Sequence, residues 1–137
     1  MKKRRYLIIV TLLLTLAAGR SLLALEWDKT QIAAAPARGD EVVRAKYEFK
    51  NLTNKTVHIL EVTTSCGCTE ATPTSSKIAP GESGAVDVLF TIGKRAGLQE
   101  KEITVRTDDS DLPTKLTLKI TIPTEAAAAP VKVATKA

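Results

Sequence analysis

The chain holds two thiols, Cys66 and Cys68, within the run Thr64-Ser65-Cys66-Gly67-Cys68-Thr69-Glu70. One intervening residue leaves three chemistries open: a local disulfide, a redox couple or a soft-metal site. As a staple the pair is poorly placed. Closing about three residues is worth about 1.5 kcal/mol of chain entropy, against about 4 to 5 kcal/mol for a bridge between distant strands. Gly67 is expected to supply the dihedral freedom that brings the two Cβ atoms together. As a redox site the run offers the hydroxyls of Thr64, Ser65 and Thr69. It lacks the following helix N-terminus that depresses a thiol pKa in thioredoxin-like motifs. Lys55 and Lys77 could do so only by tertiary approach. As a metal site, two thiolates can hold Cu(I). A closed zinc site wants four ligands, and outside the pair only His58 and carboxylates remain, so zinc would need a dimer supplying four sulfurs. The reading adopted is local shape: Cys66 and Cys68, supported by Gly67 and Thr69, pin an irregular strand end as packed thiols or as a small bridge. A thiol-redox pair and a Cu(I) site on the same two residues are the alternatives.

Other candidates are weaker. His58 is the single histidine, so Ser-His-Asp hydrolysis would have to use it. Ser65, Ser75, Ser76, Ser83 and Ser110 lie in turn-like surroundings without a nucleophile-elbow pattern, and His58 is read as structural. Thr107-Asp108-Asp109-Ser110-Asp111 lacks the spacing and glycine of an EF-hand loop and is read as a solvated turn. Asn51-Leu52-Thr53 and Asn54-Lys55-Thr56 fit the glycosylation sequon, a triplet that arises often by chance. No cofactor, no catalytic residue and no small-molecule substrate is expected.

The elements that position these residues follow from patterning. Lys2 to Arg5 precede an apolar run from Tyr6 to about Gly19. Cleavable small residues follow at Ala17 to Gly19 or Leu22 to Ala24, which is the layout of a secretory signal peptide over 1–24. The run is short of the roughly 20 residues that span a bilayer, so membrane attachment is expected only through an uncleaved leader. The formal charge of +5 comes from 20 Lys and Arg against 15 Asp and Glu. Five of those cations (Lys2, Lys3, Arg4, Arg5, Arg20) precede Leu25 and every acid follows it, which leaves 15 against 15 in the mature chain. A nucleic-acid role, which needs a basic face, loses its support. Residues 25–123 form one domain, and the Ala/Pro-rich tail 124–137 is read as disordered because it has too little apolar bulk to order itself.

Within the domain the period is two. Val43, Ala45, Tyr47 and Phe49 alternate with Arg44, Lys46, Glu48 and Lys50. Val86, Val88, Phe90 and Ile92 share a face, as do Ile103 and Val105, and Leu116, Leu118, Ile120 and Ile122. Such alternation marks strands with one buried face. Val57 to Thr64 breaks phase, so a bulge or burial on both faces is expected there. Pro80-Gly81 has the type II turn arrangement. Five clear strands, with one or two more near Gln31 and Lys77, give an all-β, immunoglobulin-like antiparallel β-sandwich of about seven strands. Trp27 is expected to cover one end of the core.

These features resemble a bacterial family of exported proteins known as domain of unknown function 1573. The resemblance rests on the aromatic-x-Phe-x-Asn strand end at Tyr47 to Asn51 and the Cys-Gly-Cys-Thr signature at 66 to 69. It rests also on the Pro-Gly-Glu turn at 80 to 82 and the Gly-x-x-x-Lys step at 97 to 101. It implies an immunoglobulin-like fold and an envelope location, and no settled activity. The function expected is a non-enzymatic interaction or structural module in the periplasm or cell envelope, with an unidentified envelope protein as partner.

Overall fold

The computed structural model describes residues 24–124. The signal peptide expected over 1–24 and the tail expected over 124–137 therefore lie, apart from Ala24 and Thr124, outside the described residues. Nine strands make two sheets. One contains β1 (Leu25–Trp27), β3 (Val42–Asn51), β7 (Ser83–Thr91) and β5 (Thr69–Pro73), in the order β1-β3-β7-β5. The other runs β2-β9-β8-β4-β6, from β2 (Gln31–Ala34), β9 (Thr114–Ile122), β8 (Gly97–Thr107), β4 (Val57–Thr64) and β6 (Lys77–Ile78).

The alternation read from the sequence is the alternation that packs. Tyr47, Phe49, Val88, Phe90, Ile103, Val105, Leu118 and Ile120 are all buried between the sheets. The charged positions between them lie outside, where Glu102 pairs with Lys115 at 3.1 Å and Glu100 with Lys119 at 3.8 Å across β8 and β9. The phase break in β4 is a bulge. Its register against β8 shifts between Ile59 and Glu61, which turns Leu60 out to 62% exposure while Ile59 stays in the core. Ala79, Pro80, Gly81 and Glu82 close the expected turn, with Glu82 N–H donating to the Ala79 carbonyl at 3.0 Å and Gly81 at a φ of 75°.

Two expectations need correcting. The described residues form nine strands, not about seven, because β1 and β5 leave little trace in the sequence. β1 has three residues, and the sequence of β5, Thr-Glu-Ala-Thr-Pro, carries no large apolar side chain. The sandwich is also not antiparallel throughout. β2 pairs parallel with β9, from Gln31 opposite Thr117 to Ala34 opposite Ile120. The cause is a crossing: the chain leaves β1 in one sheet, turns at Asp28 to Thr30, and joins the other sheet beside its last strand. The opposite side closes similarly, since the chain passes from β4 to β5 in the facing sheet and returns to β6 beside β4. Chains that switch sheets in this way form the corners of a sandwich.

One close contact fits neighbouring strands together and another ties the two layers. Gly84 faces Phe49 across the β3–β7 ladder, and a Cβ on it would stand 2.6 Å from the Phe49 ring. A side chain at position 84 would displace that ring, so the glycine answers a close approach. Tyr47 is fully buried, and its hydroxyl donates to the Thr117 carbonyl of the other sheet at 2.7 Å. Burial pushes the Tyr47 pKa up to about 12, against a smaller opposing contribution from the Ile32 backbone.

Because the neutral phenol is favoured by folding, its contribution is intact below about pH 10 and is lost as pH rises through the folded value. Alkaline titration followed by circular dichroism should therefore show stability falling above pH 10. Tyr47→Phe should flatten that limb at a cost of about 1 kcal/mol near neutrality. Truncating the fully buried Phe90 to Ala should cost about 3 to 5 kcal/mol. A loss under 1 kcal/mol in denaturant melts would contradict the packing described.

Candidate functional site

The Cys66-Gly67-Cys68 run occupies the corner at which the chain leaves β4 and enters β5. Cys66 and Cys68 are joined in a disulfide with Cα atoms 5.3 Å apart. The corner is tied to both sheets. Ser65 N–H donates to the Glu102 carbonyl at 2.9 Å, and Glu102 N–H donates back to the Ser65 hydroxyl at 3.1 Å. On the other side, Thr91 N–H donates to the Cys68 carbonyl at 2.9 Å. Thr69 N–H closes the turn onto the Cys66 carbonyl at 3.2 Å. The Thr64 hydroxyl can donate to the carbonyl of Cys66 at 3.1 Å or of Thr69 at 2.9 Å. These bonds match the N–H groups of Ser65 and Thr69 and the carbonyls of Cys66, Cys68 and Thr69.

The residues named from the sequence take distinct places. Cys68 packs against the core, Cys66 is half-buried and Gly67 is exposed. Thr69 is buried, and its hydroxyl lies 3.4 Å from Cys66 Sγ and 3.9 Å from Cys68 Sγ. The expectation for Gly67 is corrected. It does not adopt a positive φ, and a Cβ there would meet nothing within 4 Å, so the bridge forms without glycine's special dihedrals.

The sequence named Lys55 and Lys77 as cations that could reach the thiols only by tertiary approach. Two other cations lie over Phe90. Lys101 Nζ lies 5.5 Å and Arg95 Cζ 5.8 Å from the centroid of the Phe90 ring, and Phe90 is the ladder partner of Thr69. Arg95 is held there by bonds from Nη1 to the carbonyls of Thr91 at 3.3 Å and Ile92 at 3.2 Å. The signal was available in part: Lys101 stands in phase with Ile103 and Val105, a cation on an inward-facing position.

The other polar sites are structural. Asn51 is fully buried. Its amide donates to the carbonyls of Lys55 at 2.7 Å and Ile78 at 3.0 Å, while its side-chain oxygen accepts from Thr53 N–H at 2.9 Å and the Thr53 hydroxyl at 2.7 Å. The sequon at 51 to 53 is therefore a turn lock, with its amide enclosed. His58 lies on the surface with Nδ1 2.7 Å from Asp108, whose other oxygen accepts the His58 N–H at 2.8 Å. That backbone bond first, and the imidazole second, hold Asp108 below the usual carboxylate range. Among the described residues no group of three or more His, Cys, Asp or Glu is placed to hold a metal ion. Trp27, on the edge strand β1, is half-buried against the core and packs on Phe49 with ring centroids 4.8 Å apart.

Two facing sheets with sheet-switching corners define an immunoglobulin-like β-sandwich domain. Residues 25–122 match the model of a family described as "Protein of unknown function (DUF1573)", and the chain belongs to that family. No curated protein matches it. A protein of unknown function from Porphyromonas gingivalis is similar in structure, with a TM-score of 0.62 at 17% identity over 72% of this chain and 46% of that one. The chain thus spans under half of that relative. The YadV chaperone has a TM-score of 0.56 at 13% identity, over 74% of this chain and 53% of the chaperone. A PapD-like domain of human CEP192 has a TM-score of 0.54 at 11% identity, over 73% of this chain and 85% of that domain. At these identities the likeness establishes the fold.

Two substitutions separate structural necessity from permissiveness at the corner and its neighbour. Asn51→Ala should cost about 2 to 4 kcal/mol in denaturant melts, because several enclosed backbone groups lose their partner. Gly67→Ala in the oxidised protein should change stability by no more than about 1 kcal/mol.

Proposed function

We propose that the domain is an exported, non-enzymatic module of the cell envelope that engages a protein partner along the free edge of β2. The observation that carries this reading is the unequal treatment of the sheet edges. At β5, the Cys68 bond to Thr91 sets the ladder so that Thr69, Ala71 and Pro73 turn their peptide groups away from β7. Thr69 is already matched within the corner, and Pro73 has no N–H, which blunts this edge. β1 and β6 are three and two residues long. At β2 the Thr117 bond to Thr30 directs the groups of Ile32 and Ala34 to β9 and leaves those of Gln31 and Ala33 pointing outward. Both residues are exposed. An extended segment can pair there by strand addition.

The interior supports a non-enzymatic reading. Among the described residues Asn51, Thr69 and the Tyr47 hydroxyl are buried polar groups, and each has a partner within the domain. The fold analogy to the YadV chaperone is compatible with a partner-holding role but is analogy only. Export rests on the sequence of residues 1–24. Ala24 is buried, and its carbonyl accepts Leu52 N–H at 3.1 Å. Cleavage after Gly19 would keep that bond and cleavage after Ala24 would remove it.

A photo-crosslinking residue at position 31, in the chain produced in its own cell, should give a discrete adduct in the envelope fraction. The same residue at Glu102, on the ion-paired face of β8, should not. Ala33→Pro removes an outward N–H that an edge strand does not use, so it should abolish the adduct while moving the melting midpoint little. An adduct that persists in Ala33→Pro, or equal labelling from both positions, would count against the β2 edge. Intact mass of the chain from the same fraction would report whether the leader is removed.

A further inference from the structure

We propose that Cys66–Cys68 is a thiol–disulfide exchange site that accepts an electron pair from protein dithiols, with Thr69 and the Lys101–Arg95 pair stabilising the thiolates that form. Three observations converge on it. The bridge spans one residue and contributes little as a staple, yet the residue it spans, Gly67, is exposed and Cys66 is only half-buried. The hydroxyl of Thr69 is enclosed and has the two sulfurs, at 3.4 and 3.9 Å, as its neighbours for hydrogen bonding. Against a disulfide it is a weak donor bond; against a thiolate it becomes charge-assisted and stronger. Two cations lean over Phe90, the ladder partner of Thr69, where they raise the local potential. The register of Thr64 opposite Ile103 and Ser65 bonded to Glu102, carried on by one residue, brings Cys66 level with Lys101.

Cations outnumber unpaired acids on the elements that meet at the corner. From β8 come Lys101 and Glu102, the latter already paired with Lys115 at 3.1 Å. From the β7–β8 turn come Arg95 and Lys94, and from β5 the exposed Glu70. Cations beside a thiol lower its pKa and so make it a better leaving group.

The chemistry balances without a cofactor. An incoming thiolate attacks Cys66 Sγ, the less packed sulfur. The Cys66–Cys68 bond breaks and its electron pair leaves on Cys68 Sγ, giving a mixed disulfide. The second thiol of the donor, as thiolate, then attacks the donor sulfur of that mixed bond. Cys66 is released as a thiolate facing Thr69 Oγ, and the donor departs as its own disulfide. The two protons given up by the donor dithiol are taken up by solvent or by Cys66 and Cys68.

The test uses the oxidised chain in native buffer, with reduced glutathione as probe, since two equivalents supply the same electron pair. Thiols are trapped by alkylation and counted by intact mass, with circular dichroism recorded alongside. The expected result is two thiols per chain at millimolar glutathione with the β spectrum unchanged. The rate of alkylation against pH should give a thiol pKa below the ordinary value near 8.5. Lys101→Gln should raise that pKa towards the ordinary value, and Lys101→Arg should restore it. Lys101 is outside the buried core, so both variants are expected to fold. A bond that resists glutathione until the chain is denatured would overturn the proposal. So would an alkylation pKa at or above 8.5, or a pKa indifferent to Lys101→Gln. Any of these would leave the bridge as a local shape element. Nothing in this test depends on the β2 edge.

Discussion

A sandwich of two sheets can bury an apolar interior only if every strand that crosses from one sheet to the other keeps its peptide groups hydrogen-bonded. An unmatched N–H or carbonyl in that interior costs as much as a lost hydrogen bond. This domain crosses on both flanks, at Asp28 to Thr30 on one and at Ser65 to Cys68 on the other. In the second crossing the chain turns from β4 into β5 over the four residues Ser65 to Cys68. Bonds to Glu102 on one side and to Thr91 on the other hold it, with Thr64 and Thr69 matching the groups between. The disulfide lies across that turn. Its position is explained by the crossing rather than by any need to join distant parts of the chain.

The same constraint distributes polar residues through the core. Asn51 ends β3 where three turns meet, and its amide serves the 51–56 turn and β6 together. Tyr47 reaches the facing sheet with its hydroxyl while filling the core with its ring. Thr69 directs its hydroxyl at sulfur. Asn51, Tyr47 and Thr69 thus each have a specific local partner, which favours a single register where apolar packing alone would tolerate slippage.

Closing the flanks also decides which surfaces remain reactive. β5 ends its usable edge with Pro73, and the crossing occupies the Thr69 end. β2, held parallel on β9, keeps the peptide groups of Gln31 and Ala33 turned outward. The corner meanwhile presents its disulfide beside a glycine, with Lys101 and Arg95 over the neighbouring aromatic ring. One flank thus offers backbone and the other offers sulfur, and the two can be altered independently.

Alternation along β3, β7, β8 and β9 determined the core without help from tertiary contacts, because a pleated strand with one buried face writes its period directly into the sequence. The Pro80-Gly81 turn and the break in β4 were equally legible, since φ restriction and phase are local properties. The three-residue β1 and the apolar-poor β5 were not, because neither is long or hydrophobic enough to show a period. Parallel pairing of β2 with β9 is a consequence of where the chain crosses, which no local pattern encodes. At the sulfur pair, proximity and the surrounding hydroxyls were legible in the sequence, but the cations over Phe90 were not. Lys101 and Arg95 lie about thirty residues downstream of Cys66 and reach Phe90 only when β7, β8 and the corner are assembled. Gly67 shows the converse: its residue type suggested a conformational need, and the folded backbone has none, since two half-cystines one residue apart can bridge there with an ordinary φ.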